Sequence, residues 1–386
     1  MYQFDAERTG APQGEHVLTA SVLMLVGVGL VTLYSSSYAF AERFFNNGLY
    51  FISRQILYGA GGILLFFIMS RVNLELVRKL IRPLVAGTVV LCVLTFIPGI
   101  GVTRNGASRW FGIGSWTYQP SEMVKLVLPL YLAHIFDKKR ESIDVFSSGV
   151  LPPVLVTTLF FTLIYLQNNF STAVFIVVNA LVIFFLAGLR FRYFFAAAIM
   201  FLPVSALLIL TKEHRVRRFI SFFMPEWDPL GAGFQVRSSL LTIMSGGFWG
   251  KGIGQGTRKI ASVPEIHSDF IFSAFAEEAG FLGVALCFIL FAVFAFQGYR
   301  GAWKTGSLFK RLLAAGLVTS IVSQTLVNIA VVSGSVPATG IPLPFFSAGG
   351  SSLATTLVCA GLIVNVSRQG KEDVAGNVDW EVQDGR

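Results

Sequence analysis

Ten stretches of the chain are almost wholly apolar, and the polar positions gather between them instead of alternating with them. The apolar cores run 17–34, 56–69, 84–97, 123–136, 150–166, 173–187, 194–210, 281–296, 312–332 and 353–366. A helix crosses a bilayer with about 20 mostly apolar residues, within a range of roughly 17–25, so the shorter cores need their flanks to complete a span. Only helices and closed barrels satisfy their backbone groups in lipid, and these runs are continuous, not alternating. The pattern predicts an all-α, polytopic membrane protein with ten transmembrane helices. The first stretch lacks the basic lead-in and small-residue cleavage site of a signal peptide and reads as a retained helix. No fixed-period repeat and no soluble domain is visible. Residues 1–368 form one membrane unit, and the polar tail 369–386 is expected to be disordered.

Composition agrees with this pattern. Of 386 residues 54% are hydrophobic and 13% charged, against about 25% charged in soluble domains. Cys92, Cys287 and Cys359 all fall inside apolar runs, which excludes a disulfide framework and a zinc site. The formal charge of +9 is explained by topology. Of the 30 lysines and arginines, 17 lie in the two termini and the loops on their side. The short opposite loops hold 4, the long loop 211–268 holds 8, and Lys125 lies inside a span. Short loops decide orientation and long loops hardly count. Both termini are therefore expected in the cytoplasm, and the long loop between helices 7 and 8 outside. No nucleic-acid partner is expected.

The long loop carries three features. Arg215-Val216-Arg217-Arg218-Phe219-Ile220-Ser221-Phe222-Phe223 mixes basic and apolar residues as an interfacial helix does, its bases toward headgroups. Residues 235–244 suit a second short helix. The glycines of Gly246-Gly247-Phe248-Trp249-Gly250-Lys251-Gly252-Ile253-Gly254-Gln255-Gly256 let backbone N–H groups approach an anion, although the run matches no nucleotide-binding fingerprint.

The loop ends in Val263-Pro264-Glu265-Ile266-His267-Ser268-Asp269-Phe270, with two carboxylates and an imidazole at a membrane edge. Ionisable groups in such a place are functional candidates. Asp269 stands where an apolar helix starts, so it reads both as an N-cap and as a catalytic base whose pKa partial burial raises. Glu265 and His267 are secondary candidates. Gln119-Pro120-Ser121-Glu122-Met123-Val124-Lys125 opens the fourth span, and Glu122 and Lys125 share a helix face. Their pairing serves either helix packing or binding. Arg109 beside Trp110 offers a cation next to an aromatic platform or interfacial anchor. The uncharged, proline-rich stretch 333–352 is too apolar for an open loop and reads as a buried re-entrant wall.

These motifs resemble, in order, those of the SEDS family (shape, elongation, division and sporulation; FtsW/RodA/SpoVE). Gly106-Ala107-Ser108-Arg109-Trp110 with Gln119-Pro120-Ser121-Glu122 is similar to its first outer loop and fourth span. Pro264-Glu265-Ile266-His267-Ser268-Asp269-Phe270-Ile271-Phe272 resembles its PExHTDFIF signature, and Gly340-Ile341-Pro342-Leu343-Pro344 with Gly349-Gly350-Ser351-Ser352 its last outer loop. Arg217-Arg218-Phe219 and Gly254-Gln255-Gly256-Thr257-Arg258-Lys259 look nearer the FtsW division branch than the RodA branch. One departure is chemical: the family's Gln-Pro-Asp-Leu-Gly-Thr reads Gln167-Asn168-Asn169-Phe170-Ser171-Thr172, so its aspartate is replaced by Asn169.

The resemblance implies a peptidoglycan glycosyltransferase that polymerises lipid II at the outer face of the cytoplasmic membrane, for septal wall synthesis. It implies a class B penicillin-binding protein as partner, beside other membrane proteins of the division machinery. The family's essential acid maps onto Asp269, its outer-loop tryptophan onto Trp110, and its polar cavity pair onto Glu122 and Lys125. Asp269 is then the general base. Undecaprenyl diphosphate leaves against cations drawn from Arg109, Arg217, Arg218, Lys251 and Lys259. No dedicated cofactor is implied; a divalent ion, Mg or Mn, is compatible with the diphosphate. The alternatives are a lipid II flippase and a non-catalytic scaffold that recruits a transpeptidase.

Overall fold

The computed structural model describes residues 14–383 apart from 105, 114–115, 144, 225–230 and 258–265. Thirteen α-helices are described. They are α1 (Gly14–Phe45), α2 (Tyr50–Met69), α3 (Leu74–Lys79), α4 (Ile81–Leu94), α5 (Pro120–Lys138), α6 (Leu151–Leu166), α7 (Phe170–Leu186), α8 (Phe191–Leu210), α9 (Glu213–Phe223), α10 (Ala232–Gly246), α11 (Ile271–Lys304), α12 (Leu308–Val332) and α13 (Gly350–Gln383). Ten of them stand on the ten apolar stretches; α3, α9 and α10 do not. Seven are long and apolar enough to cross a membrane by length and composition, with α6 counted from Phe146. Ile81–Leu94 and Phe170–Leu186 are apolar but shorter. The tenth, α5, carries Glu122 and Lys125 and starts on Pro120, whose missing N–H costs nothing in a first turn.

The connections alternate. Those after α4, α6, α8 and α12, with the helix ends Phe45 and Tyr50 that flank the α1–α2 turn, all contribute to one cavity at one end of the bundle, as antiparallel neighbours require. Inside, α2 packs along α13, α1 along α11 and α5 along α12. In contrast, α8 buries none of its residues.

Four features differ from the sequence pattern. The connection between α4 and α5 is not irregular but a small antiparallel sheet of β1 (Gly101–Arg104), β2 (Ala107–Ile113) and β3 (Trp116–Tyr118), in the order β1-β2-β3. Arg104 pairs with Ala107, so the signal was the Asn105-Gly106 dipeptide between them, a two-residue hairpin sequence. Helix α4 begins and ends three residues before the apolar core. Helix α11 begins ten residues before the predicted core because two helices join across a break at Gly280, where φ is 65°. The backbone of α13 runs helical to Gln383, across the stretch where an unstructured tail is expected.

Candidate active site

The site is built on the short turn that precedes α11. Each carbonyl from His267 to Asp269 accepts a hydrogen bond from another element. Ala348 N donates to His267 O at 2.9 Å, Ser347 Oγ to Ser268 O at 2.7 Å and Asn328 Nδ2 to Asp269 O at 2.8 Å. Asn328 also donates to Ile341 O at 2.9 Å and so ties α12 to both segments. The stretch 333–349 is the rigid wall its composition predicts. Phe345 and Phe346 are buried, and their rings pack on Phe291, Phe294 and Phe275. Phe345 O lies where a Cβ on Gly29 would stand, 2.3 Å from it, so only glycine permits this approach.

Asp269 does not cap α11. Phe270 occupies that position with no side-chain bond, and Asp269, one residue earlier, lines the cavity. Ser268 Oγ donates to Asp269 Oδ1 at 3.1 Å. A Cβ on Gly340, whose φ is 73°, would come within 3.3 Å of Asp269 Oδ2. The cavity measures about 1430 Å³. That exceeds the roughly 300–1,000 Å³ of a small-molecule site and gives room for more than one substrate headgroup.

Seven of the residues singled out in the sequence line this cavity: Asp269, Arg109, Trp110, Glu122, Lys125, Arg218 and His267. Glu122 and Lys125 form a buried pair at 2.6 Å, and Lys125 also donates to Gln324 Oε1 at 2.8 Å. Gln324 Nε2 continues to Pro342 O at 2.8 Å, so the pair joins α5 and α12 to the rigid wall while facing the cavity. Arg109, on β2, donates to Asn168 O, and Asn168 Nδ2 returns a bond to Gly106 O at 2.9 Å. This clasp holds the sheet against the α6–α7 turn. Burial and the charges of Arg218 and Arg215 hold the Arg109 pKa down, while Asp269 acts in the opposite sense. Asn169, in place of the family aspartate, is buried in the cavity wall.

Two candidates stand elsewhere. Arg217 is exposed and pairs with Glu213 at 2.7 Å. A helix turns about 100° per residue, so α9 can turn only one stripe to the cavity, and His214 and Arg218, four apart, occupy it. Arg215 faces another way. Instead of reaching toward headgroups it is buried, its guanidinium 4.8 Å from the Tyr165 ring and 5.1 Å from that of Phe170. Lys251 is bound to the fully buried Glu277 at 2.8 Å and does not line the cavity.

The glycine run is likewise committed. Lys251 N and Gly252 N donate to Glu277 O and Glu278 O at 3.0 Å, and Phe281 N and Leu282 N donate to Gly247 O and Phe248 O. The loop therefore supplies the hydrogen-bond partners that α11 loses at its break. The anion it receives is the chain's own: Gly254 N donates to Glu278 Oε1 at 3.1 Å. Lys259 and Glu265 lie outside the described residues.

Sequence reasoning missed Arg54, Lys212 and His214, which also line the cavity. Lys212 and His214 had a signal, their place in the basic loop; Arg54 had none, being one base at the start of a span. Burial, followed by the surrounding arginines, lowers the His214 pKa. Burial takes the His267 pKa down to about 4. Among the described residues no three His, Cys, Asp or Glu side chains come together to hold a metal.

A profile of the FtsW/RodA/SpoVE family, described as cell cycle proteins, matches residues 15–372. The chain is 36% identical over 351 residues to a probable peptidoglycan glycosyltransferase FtsW of Geobacter sp. strain M18, covering 91% of this chain and 96% of the relative. It is 36% identical over 352 residues to stage V sporulation protein E of Bacillus subtilis strain 168, with 91% and 96% covered. Among solved structures, a chain of a peptidoglycan synthase complex that coordinates polymerization and crosslinking is similar with a TM-score of 0.75 and 29% identity, covering 92% of this chain and 98% of that one. The rod shape determining protein RodA of Thermus thermophilus is similar with a TM-score of 0.67 and 27% identity, covering 91% and 96%.

Proposed function

Because the chain belongs to the FtsW/RodA/SpoVE family, we propose that it is a peptidoglycan glycosyltransferase which joins lipid II units into glycan strands. The observation that carries this reading is Asp269 on a clamped turn, in a cavity of about 1430 Å³ whose wall holds Arg109, Arg218 and Lys212. Asp269 takes the proton from the 4-hydroxyl of the acceptor N-acetylglucosamine. The oxygen forms a bond to the anomeric carbon of the donor, the bond from that carbon to the diphosphate breaks, and its electron pair leaves with undecaprenyl diphosphate. One in-line displacement inverts the configuration and needs one base. The cations stabilise the charge that develops on the leaving group. The Glu122–Lys125 pair shapes the floor of the cavity. Asn169 gives that wall a neutral amide, so no second carboxylate is required at this position. A Mg or Mn ion used by the reaction would be held chiefly by the diphosphate oxygens, and its test is the rate with and without chelator.

The proposed partner is a class B penicillin-binding protein, which the similarity to a polymerising and crosslinking complex supports. The division role, with other membrane proteins of the septum, rests on the FtsW-named relatives. The long loop and the cavity are assigned to the outer face, both termini to the cytoplasm. A flippase reading is disfavoured because the separate void on the other side of Lys125 measures only about 10 Å³ and is lined mostly by apolar side chains. The test is polymerisation of lipid II by the purified chain with its partner. Asp269→Asn is expected to lose about 10²–10⁴-fold in rate with partner binding retained. Turnover at the parent rate would remove Asp269 as the base.

A further inference from the structure

The turn between α10 and α11 belongs by sequence to the long loop 211–268, yet its groups are sorted as they are in a membrane. The polar ones turn to the protein. Lys251 N and Gly252 N donate to Glu277 O and Glu278 O, Gly254 N donates to Glu278 Oε1, and Gly247 O and Phe248 O accept from Phe281 N and Leu282 N. Lys251 is the one charged residue between Gly246 and Gln255, and Glu277 meets its Nζ at 2.8 Å from inside. The large apolar side chains do the opposite. Trp249 is 77% and Ile253 70% exposed, and Met244, in the last turn of α10, is exposed as well.

The depth of this turn follows from α11. Arg300 is exposed and is the first base after the apolar core of that helix. A span takes about 20 residues, so counting back from Arg300 reaches Phe281 at the edge of the hydrocarbon on the chamber's side. The Phe248 ring stacks on that of Phe281 at 5.7 Å, and Trp249 stands edge-on to Phe248 at 5.1 Å. The turn therefore lies level with that edge. It also lies on the face that α11 gives to lipid. Phe281 is exposed, and the exposed Leu282, Leu286 and Ile289 continue down the helix at spacings of four and three. Irregular backbone is tolerated at such depth where protein satisfies it, which the bonds to Glu277, Glu278, Phe281 and Leu282 do. Tryptophan is enriched at this level of a bilayer.

We infer that the turn 246–255 is inserted into the bilayer, with Trp249 and Ile253 in lipid where headgroups meet acyl chains. The partner of this surface is the leaflet itself, and the long loop is not wholly outside the membrane. Through Glu277 and Glu278 the inserted turn holds the chamber end of α11 at a fixed height. Asp269 lies twelve residues before Phe281, beyond the break at Gly280, so its height above a lipid-borne substrate is fixed with it. Insertion stands whether or not the chain polymerises lipid II.

The test uses the full chain, one copy per nanodisc of phosphatidylethanolamine and phosphatidylglycerol. Trp249→Cys and Ile253→Cys each carry a nitroxide, with Leu286→Cys as the lipid-facing reference and Asn47→Cys as the water-facing one. These side chains are exposed, so the labels leave the core untouched, and Cys92, Cys287 and Cys359 are buried. Spin relaxation reads the access of molecular oxygen, which concentrates in hydrocarbon, against that of nickel ethylenediaminediacetate, which stays in water. The oxygen-to-nickel ratio at Trp249→Cys and Ile253→Cys is expected to exceed that at Asn47→Cys by roughly three-fold or more, as a site at the hydrocarbon edge requires. A ratio equal to that of Asn47→Cys would put the turn in water and overturn the inference. Exclusion of both reagents would mean that protein covers the turn, and would overturn it too.

Discussion

A lysine inside a glycine-rich turn and an aspartate before a helix look alike as candidates, yet the fold gives them opposite duties. Lys251 neutralises Glu277, which is fully buried. Removing one partner leaves a buried carboxylate without its charge partner, which costs about 3–5 kcal/mol for a fully buried pair. Lys251 is about a third exposed, so Lys251→Ala is expected to cost about 2 kcal/mol, seen as a lowered Tm in detergent. Glu277→Gln in the same chain is expected to recover most of it. His267 makes a prediction of the same kind. Burial lowers its pKa from 6.5 to about 4, so the folded state binds the proton less well than the unfolded one. Its contribution is complete above pH 6.5 and is lost as pH falls from there through 4. The Tm of the parent is expected to fall more steeply across that window than the Tm of His267→Gln; equal slopes would refute it.

Elements are joined here by backbone groups as much as by side chains. The break in α11 works because Gly280 adopts φ 65° and its missing Cβ would stand 2.1 Å from Gly250 N. Gly280→Ala therefore meets both backbone strain and a clash and is expected to destabilise by more than about 1 kcal/mol. Gly87→Ala, in α4 with open space around it, is expected to be neutral or slightly stabilising, and the two thermal melts side by side check this. Helix α9 was readable as amphipathic, and it formed where its pattern indicated, over Glu213–Phe223. Which of its arginines met the cavity was not readable, because that depends on how the helix is rolled against Tyr165 and Phe170. The sheet of β1–β3 was present in the sequence only as its Asn-Gly dipeptide.

The described residues form an alternating bundle in which four connections and the ends of α1 and α2 converge on one chamber. If both termini lie in the cytoplasm, as proposed, a cysteine placed at Asn47 should react with an impermeant thiol reagent added to intact cells, and one placed at Gly306 should react only after permeabilisation. Both positions are exposed, and the native Cys92, Cys287 and Cys359 are buried, so background labelling is low. The reverse pattern would put the chamber on the inner face and end the proposal that Asp269 meets lipid-borne sugar outside. Within the chamber, three of the groups are held by a second element: Arg109 depends on Asn168, Lys125 on Gln324, and the Asp269 turn on Asn328 and Ser347.

The order of the apolar runs predicted where the ten bundle helices stand, since a helix that satisfies its own backbone is what such runs form in lipid. Motif order along the chain then pointed to Asp269, Trp110 and the Glu122–Lys125 pair, because each sits at the edge of a span where a local pattern is visible. What the tertiary structure alone decided was company. Glu277 took Lys251, Glu278 took the glycine loop, Arg215 took two rings, and Arg54 with four aromatic residues joined the chamber. Contacts decided in this way cross as many as 296 residues of chain, as between Met69 and Asn365. No periodicity carries information over that distance; only the roll and approach of packed helices does.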